Sequence, residues 1–330
     1  MTSLRIAFCD THIEFDADAW IWTRLLRRHH AVDVVSPRDR PDILFYGDWG
    51  SDHRSFDGRK IYWSGENMIP DFDQCDFALT SANLPSETRH LRVPTWRQVI
   101  GDPGRLLVSS PPDISEFQRR PGFCAQVVSN PKGLFRNRLF RRLGKRRPVS
   151  SGGRAFNNIG GPVADKRSFL RKHRFCLAIE NSSSSGYVTE KLTDAFLAGC
   201  IPIYWGDPEV ATDFNPRRFV NAHDFETLDD LCRRVLEVDD DPSLQASILN
   251  EPVFPDNSIP DHLRDETIAA GLAGFVAANT TPGPRRYRNR RLREHVHPSW
   301  FHQTAASWTC RADAFLWKLI PRSRVRIPDQ

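Results

Sequence analysis

The residues best suited to chemistry gather in one stretch. Residues 174–209 run from Arg174 through Phe175-Cys-Leu-Ala-Ile to Glu180-Asn181, then Ser182-Ser-Ser-Ser-Gly186-Tyr187-Val-Thr189-Glu190-Lys191, and on to Gly206-Asp207-Pro208-Glu209. A buried strand ends at Glu180-Asn181, a flexible Ser/Gly loop follows, and a helix begins near Thr189, whose hydroxyl suits an N-cap. The open N–H groups of a helix start favour an anion, and Lys191 adds a cation to the first turn. Such a strand-loop-helix unit could hold a phosphorylated ligand. Glu190 has the wrong sign for phosphate and suits the hydroxyls of a sugar or ribose. The plainer alternative is that Thr189 and Glu190 only start a helix with Leu192, Phe196 and Leu197 as its core face.

A second carboxylate stands far upstream. Glu66 follows an apolar run at 60–63 through Gly65, at the carboxyl end of a predicted strand. Open parallel sheets bind ligands at that edge. A partly buried Glu there would have a raised pKa and could act as a base near neutral pH. The alternative is a surface-loop Glu beside Asn67. Two Asp-x-Asp pairs, Asp16/Asp18 and Asp71/Asp73, have a spacing that can hold a divalent cation. Asp16 and Asp18 precede an early helix, where acids are favoured anyway, and the histidines show no ligand spacing, so no metal is expected.

The elements that must position these groups alternate. Short apolar runs at 4–9, 32–35, 43–46, 60–63 and 75–80 read as buried strands, with a helix over 20–28 that places Trp22, Leu25 and Leu26 on one face. Turn signals at Gly101-Asp-Pro-Gly and Pro111-Pro112 mark a boundary near 110–121. A second series follows: strands at 123–129, 174–179, 201–204 and 219–222, and helices at 134–147, 188–198 and 226–238. An α/β pair of domains is the result.

Composition agrees. The chain has 330 residues, 39% hydrophobic and 26% charged, which excludes disorder and fibrous architecture for most of its length. No apolar run approaches the ~20 residues of a membrane span, and the N-terminal residues lack a signal-peptide pattern. Seven cysteines without a C-x-x-C pair read as reduced, buried thiols. The net charge is +5, yet residues 281–330 alone carry ten Arg and one Lys against three acids. Beyond the basic run 285–293, Trp308, Ala312, Phe315, Leu316 and Leu319 share one helical face. That basic amphipathic pattern suits an anionic membrane surface, or packing back on the first domain.

The run from Phe175 to Ser182, then Gly186-Tyr-Val-Thr-Glu-Lys-Leu192, then Ala195-Phe-Leu-Ala-Gly-Cys-Ile-Pro-Ile-Tyr-Trp-Gly206 resembles the signature of the α-1,3/1,4-fucosyltransferases, glycosyltransferase family ten, in their bacterial form. Downstream, Asp213-Phe-Asn-Pro-Arg-Arg-Phe-Val-Asn221 is similar to bacterial members. Upstream, Phe123-Cys-Ala-Gln-Val-Val-Ser-Asn130-Pro, Phe135-Arg136-Asn137, Tyr62-Trp-Ser-Gly65-Glu66-Asn67 and Cys75-Asp76-Phe-Ala carry the likeness over roughly residues 40–225.

The resemblance implies an α/β, GT-B fold: two Rossmann-like domains with an interdomain cleft. The expected divisions are an acceptor-side domain over 1–116, a GDP-fucose-binding domain over 117–284 and the basic tail over 285–330. It implies an inverting enzyme that moves L-fucose from GDP-fucose to the 3-hydroxyl, or the 4-hydroxyl, of N-acetylglucosamine or glucose. The acceptor would belong to a surface glycan, lipopolysaccharide or oligosaccharide. The family's donor contacts fall on Arg136, Asn181, Tyr187, Glu190 and Lys191, and its base on Glu66. Arg154, after Gly152-Gly153, is a further candidate for donor phosphate. Arg136 and Lys191 would stabilise charge on the leaving phosphate, so no metal or other cofactor is expected. The expected location is cytoplasmic, with peripheral membrane contact through the tail and no specific nucleic acid. Alternatives are a GT-B enzyme using another nucleotide sugar, and a non-catalytic anion-binding protein tethered by its tail.

Overall fold

The computed structural model describes residues 3–11, 15–110, 112–278, 282–283 and 285. The expected helix around residues 308–319, and nearly all of the basic tail, lie outside the described residues. The described chain divides into two compact units. One takes the chain as far as Gly101 and takes it up again from Pro260; the other is Asp102–Ile259.

In the first unit, β1 (Leu4–Cys9), α1 (Ile21–Leu26), β2 (Val32–Val34), β3 (Ile43–Tyr46), β4 (Arg59–Trp63), β5 (Phe77–Thr80), β6 (His90–Arg92) and α2 (Thr95–Val99) follow one another. The six strands form one sheet in the order β2-β1-β3-β4-β5-β6, and every pairing is parallel. β3 and β5 are buried along their whole length, as strands covered on both faces must be. On one face Ile6, Phe45, Ile61, Trp63 and Leu79 pack with Trp22 and Leu25 of α1.

In the second unit, α3 (Ile114–Gln118), β7 (Gly122–Gln126), α4 (Leu134–Gly144), β8 (Val149–Ser151), α5 (Lys166–Leu170), β9 (His173–Ile179), α6 (Glu190–Leu197), β10 (Ile201–Trp205), β11 (Val220–Asn221), α7 (Leu228–Asp240) and α8 (Pro242–Leu249) follow. Five parallel strands form the order β11-β10-β9-β7-β8. Their core joins Phe175, Leu177 and Ile179 to Leu139 and Leu143 of α4 and Leu231 and Val235 of α7.

The expected divisions need correction. The first unit ends at Gly101 rather than near 116, and α9 (Asp265–Ala277) belongs to it rather than to the second. The reason is an uncovered apolar face. Ile268, Ala269 and Leu272 complete the first unit's core beside α1. Arg97, fully buried, fastens the start of this helix: its Nε donates to the Leu263 carbonyl at 2.9 Å and its guanidinium pairs with Asp265. Arg24 meets the same Asp265 at 3.1 Å, and Arg28 meets Glu266 at 2.7 Å.

Candidate active site

The donor candidates lie at the carboxyl edge of the second sheet. β9 ends at Ile179, and Glu180 beyond it is fully buried. Its Oε1 accepts the Thr189 N–H at 2.8 Å, its Oε2 accepts Lys191 Nζ at 2.8 Å, and Thr189 Oγ1 lies 2.8 Å from both oxygens. Thr189 caps α6, its hydroxyl accepting the Lys191 N–H. Strand end and helix start are thus locked together through a carboxylate that sequence reasoning passed over. Its signal was there: a polar pair, Glu180-Asn181, closing an apolar strand. Gly206 permits this packing, since a Cβ there would lie 2.5 Å from Glu180 Cγ and 2.7 Å from the Tyr204 hydroxyl.

Lys191 is thus engaged within the protein at the helix start. Its ammonium has three protons, and Glu180 and Thr189 Oγ1 (2.9 Å) take two of them. Burial works against its charge, but Glu180 and Glu190 outweigh burial and hold the ammonium above the ordinary lysine range. Burial likewise works against the charge of Glu190, but Lys191 and Lys166 outweigh it and keep that carboxyl below its usual range. An ionised carboxylate of this kind accepts hydrogen bonds from hydroxyls.

Arg136 sits in the first turn of α4, 1% exposed. One amino group donates to Asn181 Oδ1 at 2.7 Å and the other to the Asn130 carbonyl. It thereby joins the loops that leave β7 and β9. Its Nε is buried without a hydrogen-bond partner among the described residues. Burial lowers its pKa to about 10, with nearby Glu180 acting the other way, so it is cationic at neutral pH.

The loop between β9 and α6 is tied down rather than flexible. Ser183 Oγ donates to the Gly206 carbonyl and Ser185 Oγ to the Glu209 carboxylate. Glu209 is held in turn by its N–H to Asp207 Oδ1 at 2.8 Å. Tyr187, expected among the donor contacts, is 3% exposed, so little of it faces solvent. Arg154 is exposed just beyond β8. The Gly152-Gly153 turn before it has a packing origin, because a Cβ on Gly153 would run into the Val128 backbone.

Glu66 belongs to the first unit, in the bend after β4. It is exposed, which corrects the expected partial burial. Its N–H donates to Ser64 Oγ at 3.0 Å and its carbonyl accepts the Met68 N–H at 2.9 Å. The structure thus brings Arg136 to Asn181 and sets Glu190 and Lys191 at one helix start, while Glu66 belongs to the other unit.

The Asp-x-Asp pairs make turns. Asp71 accepts the Asp73 N–H at 3.2 Å and the Gln74 amide at 2.8 Å; Asp16 accepts the Asp18 N–H at 3.0 Å. Among the described residues no three His, Cys, Asp or Glu side chains converge as metal ligands. Sequence reasoning also missed a buried pair at the end of β1: Asp10 Oδ2 lies 2.5 Å from His53 Nδ1, with the imidazole stacked on Tyr46. Burial draws that imidazole below its usual pKa.

Known proteins with this arrangement agree on a family. Residues 6–98 match the family model of the α-(1,3)-fucosyltransferase FucT N-terminal domain, and residues 117–248 match that of the glycosyltransferase family 10 (fucosyltransferase) C-terminal region. An α-(1,3)-fucosyltransferase FucT of Helicobacter pylori is 32% identical over 254 residues, covering 67% of this chain and 53% of that protein. A 4-galactosyl-N-acetylglucosaminide 3-α-L-fucosyltransferase 9 of Rattus norvegicus is 33% identical over 153 residues, covering 44% of this chain and 42% of that one. The chain thus spans about half the length of the curated relatives it matches. A crystal structure of an α1,3-fucosyltransferase with GDP superposes with a TM-score of 0.74 at 25% identity, over 86% of this chain and 93% of that one. Two parallel-sheet units of this kind make the fold GT-B, and the chain belongs to glycosyltransferase family ten, the fucosyltransferases.

Proposed function

We propose that this chain transfers L-fucose from GDP-fucose to the 3-hydroxyl of an N-acetylglucosamine or glucose unit, with inversion and without a metal. The observation that carries the reading is Arg136: a buried cation at the carboxyl edge of the sheet, anchored to Asn130 and Asn181, with an unused Nε–H. A diphosphate is the group that such a cation suits. The relatives' names support fucosyl transfer and the 3-linkage, and the structure with GDP supports the nucleotide.

The chemistry is one displacement. The acceptor hydroxyl gives its proton to the Glu66 carboxylate, its oxygen forms a bond to the anomeric carbon, and the bond from that carbon to the β-phosphate oxygen breaks. Its electrons leave on GDP. Arg136 stabilises the charge that develops there, Lys191 adds its field from the helix start, and Glu190 accepts hydroxyls of the donor. The acceptor would lie in a surface glycan or lipopolysaccharide. Among the described residues six cysteines are free and five of them buried, which fits a cytoplasmic enzyme, and the basic tail would supply a peripheral membrane contact.

The test is GDP-fucose turnover with N-acetyllactosamine and with a glucose-containing acceptor, in EDTA, for wild type and Glu66→Gln. Turnover that survives EDTA and falls ~10²–10⁴-fold in the variant is expected for loss of a general base. No turnover, no GDP-fucose hydrolysis and no GDP binding by calorimetry would overturn the reading in favour of an anion-binding protein.

A further inference from the structure

We propose that Asp48 is a positioning residue for the candidate base: it holds the loop that carries Glu66. This rests on the reading of Glu66 as the group that takes the acceptor's proton.

Asp48 lies two residues beyond β3, and the segment 64–66 directly follows the neighbouring β4. The Asp48 carboxylate spans the two strand ends. Its Oδ1 accepts the Tyr62 hydroxyl at 2.5 Å and its Oδ2 accepts the Ser64 hydroxyl at 2.6 Å. Ser64 Oγ, its proton so directed, turns a lone pair to the Glu66 N–H at 3.0 Å. The chain of bonds therefore has a sense: carboxylate, hydroxyl, amide of the base. It also has a second anchor. The Ser64 carbonyl accepts the Gln98 amide at 3.0 Å, and the Gly65 carbonyl accepts the Thr95 hydroxyl at 2.7 Å. Three successive residues, Ser64, Gly65 and Glu66, are each fixed by a hydrogen bond from outside the loop or from Ser64 itself.

Charge-assisted bonds of this kind are roughly twice as strong as neutral ones. The backbone of a base must be held in place, because a displacement of ~1 Å can cost ~10²-fold in rate. Both Asp48 oxygens accept hydroxyl protons, so the residue is built to orient rather than to deprotonate an acceptor. In Asp48→Asn the amide group offers protons where one of the two hydroxyls now donates. The hydroxyl on that side, Tyr62 or Ser64, must accept instead of donate, and the charged acceptor that directs the Ser64 proton away from the Glu66 N–H is gone.

The experiment is a double-mutant cycle in the full chain, read by single turnover of radiolabelled GDP-fucose with saturating acceptor. Asp48→Asn, Glu66→Gln and the pair are compared, with Ser64→Ala as a second break in the same chain and thermal unfolding as a folding check. Asp48→Asn is expected to lower the rate ~10–100-fold with the GDP-fucose KM within about twofold of wild type. On the Glu66→Gln background it is expected to cost less than about twofold, since a residue that acts through Glu66 has nothing left to act on. Ser64→Ala is expected to behave alike, and it alone decides the matter if Asp48→Asn does not fold. Equal losses on both backgrounds, or a raised GDP-fucose KM with an unchanged rate, would overturn the proposal. An active Glu66→Gln single variant would instead overturn the reading of the base, and that is seen before Asp48 is touched.

Discussion

Glu180→Gln tests the central joint of the donor unit. The wild-type carboxylate is fully buried and receives the Thr189 N–H and the Lys191 ammonium at 2.8 Å each. Glutamine keeps the shape but offers one acceptor and two donors. Its amide nitrogen must face either the Thr189 N–H or Lys191, donor against donor. Removing one partner of a buried ion pair costs ~3–5 kcal/mol. The Lys191 side chain is 17% exposed and can turn partly to water, which favours the lower end, about 3 kcal/mol. Urea unfolding should therefore show that loss with an unchanged m value. The variant carrying Lys191→Met as well should recover part of it, since no buried charge is stranded. The sign with pH follows from Lys191, whose folded pKa is raised above 10.5. Its contribution is complete at lower pH and is lost as pH climbs through the folded value, so the difference between wild type and variant should narrow only in strong alkali. A Glu180→Gln protein within ~0.5 kcal/mol of wild type at pH 7 would refute the reasoning, because surface changes alone produce differences of that size.

Other perturbations have defined directions. Arg136→Lys keeps the charge but cannot span Asn130 and Asn181 at once, so GDP affinity by calorimetry should fall ~10–100-fold, the worth of one or two charged hydrogen bonds; unchanged affinity would remove Arg136 from the donor site. Lys60 is fully buried, and desolvation, with the nearby Arg285 cation, lowers its pKa from 10.5 to about 8. The folded state thus binds fewer protons than the unfolded between those values, so this group's destabilisation is complete below pH 8 and fades as pH rises to 10.5. Lys60→Met should raise stability by about 3 kcal/mol at pH 7 and by much less at pH 10.5; a gain independent of pH would sink this account. Gly206→Ala should push Glu180 off Thr189 and cost ~1–3 kcal/mol in urea unfolding, as overpacking does.

Much of the fold was legible because parallel strands covered on both faces read as continuous apolar runs. Ile43–Tyr46 appears in the sequence as it does in the sheet, and β9 and β10 differ from their expected limits by one residue. β6, His-Leu-Arg, escaped because it holds a single apolar residue, and β8 because it lies in a segment whose Ser and Gly content reads as loop. The site was legible to the same depth. Thr189 as cap and the anionic Glu190 follow from local pattern, whereas the burial of Tyr187, the pinning of the serine loop and the exposure of Glu66 do not.

The sequence by itself determined the α/β class, the two series of strands, the family and the residue types on hand for phosphate, hydroxyl and proton, because each is encoded within one turn, one strand or one contiguous motif. Only the tertiary structure decided how those residues are spent. Lys191 is turned to Glu180, eleven positions away, once strand and helix close on each other. Asp48 reaches Ser64 across two adjacent strand ends. The apolar helix Asp265–Ala277, which its pattern would let cover either sheet, is drawn to the first by buried Arg97. Such pairings depend on sheet order and burial, and no spacing along the chain carries that information.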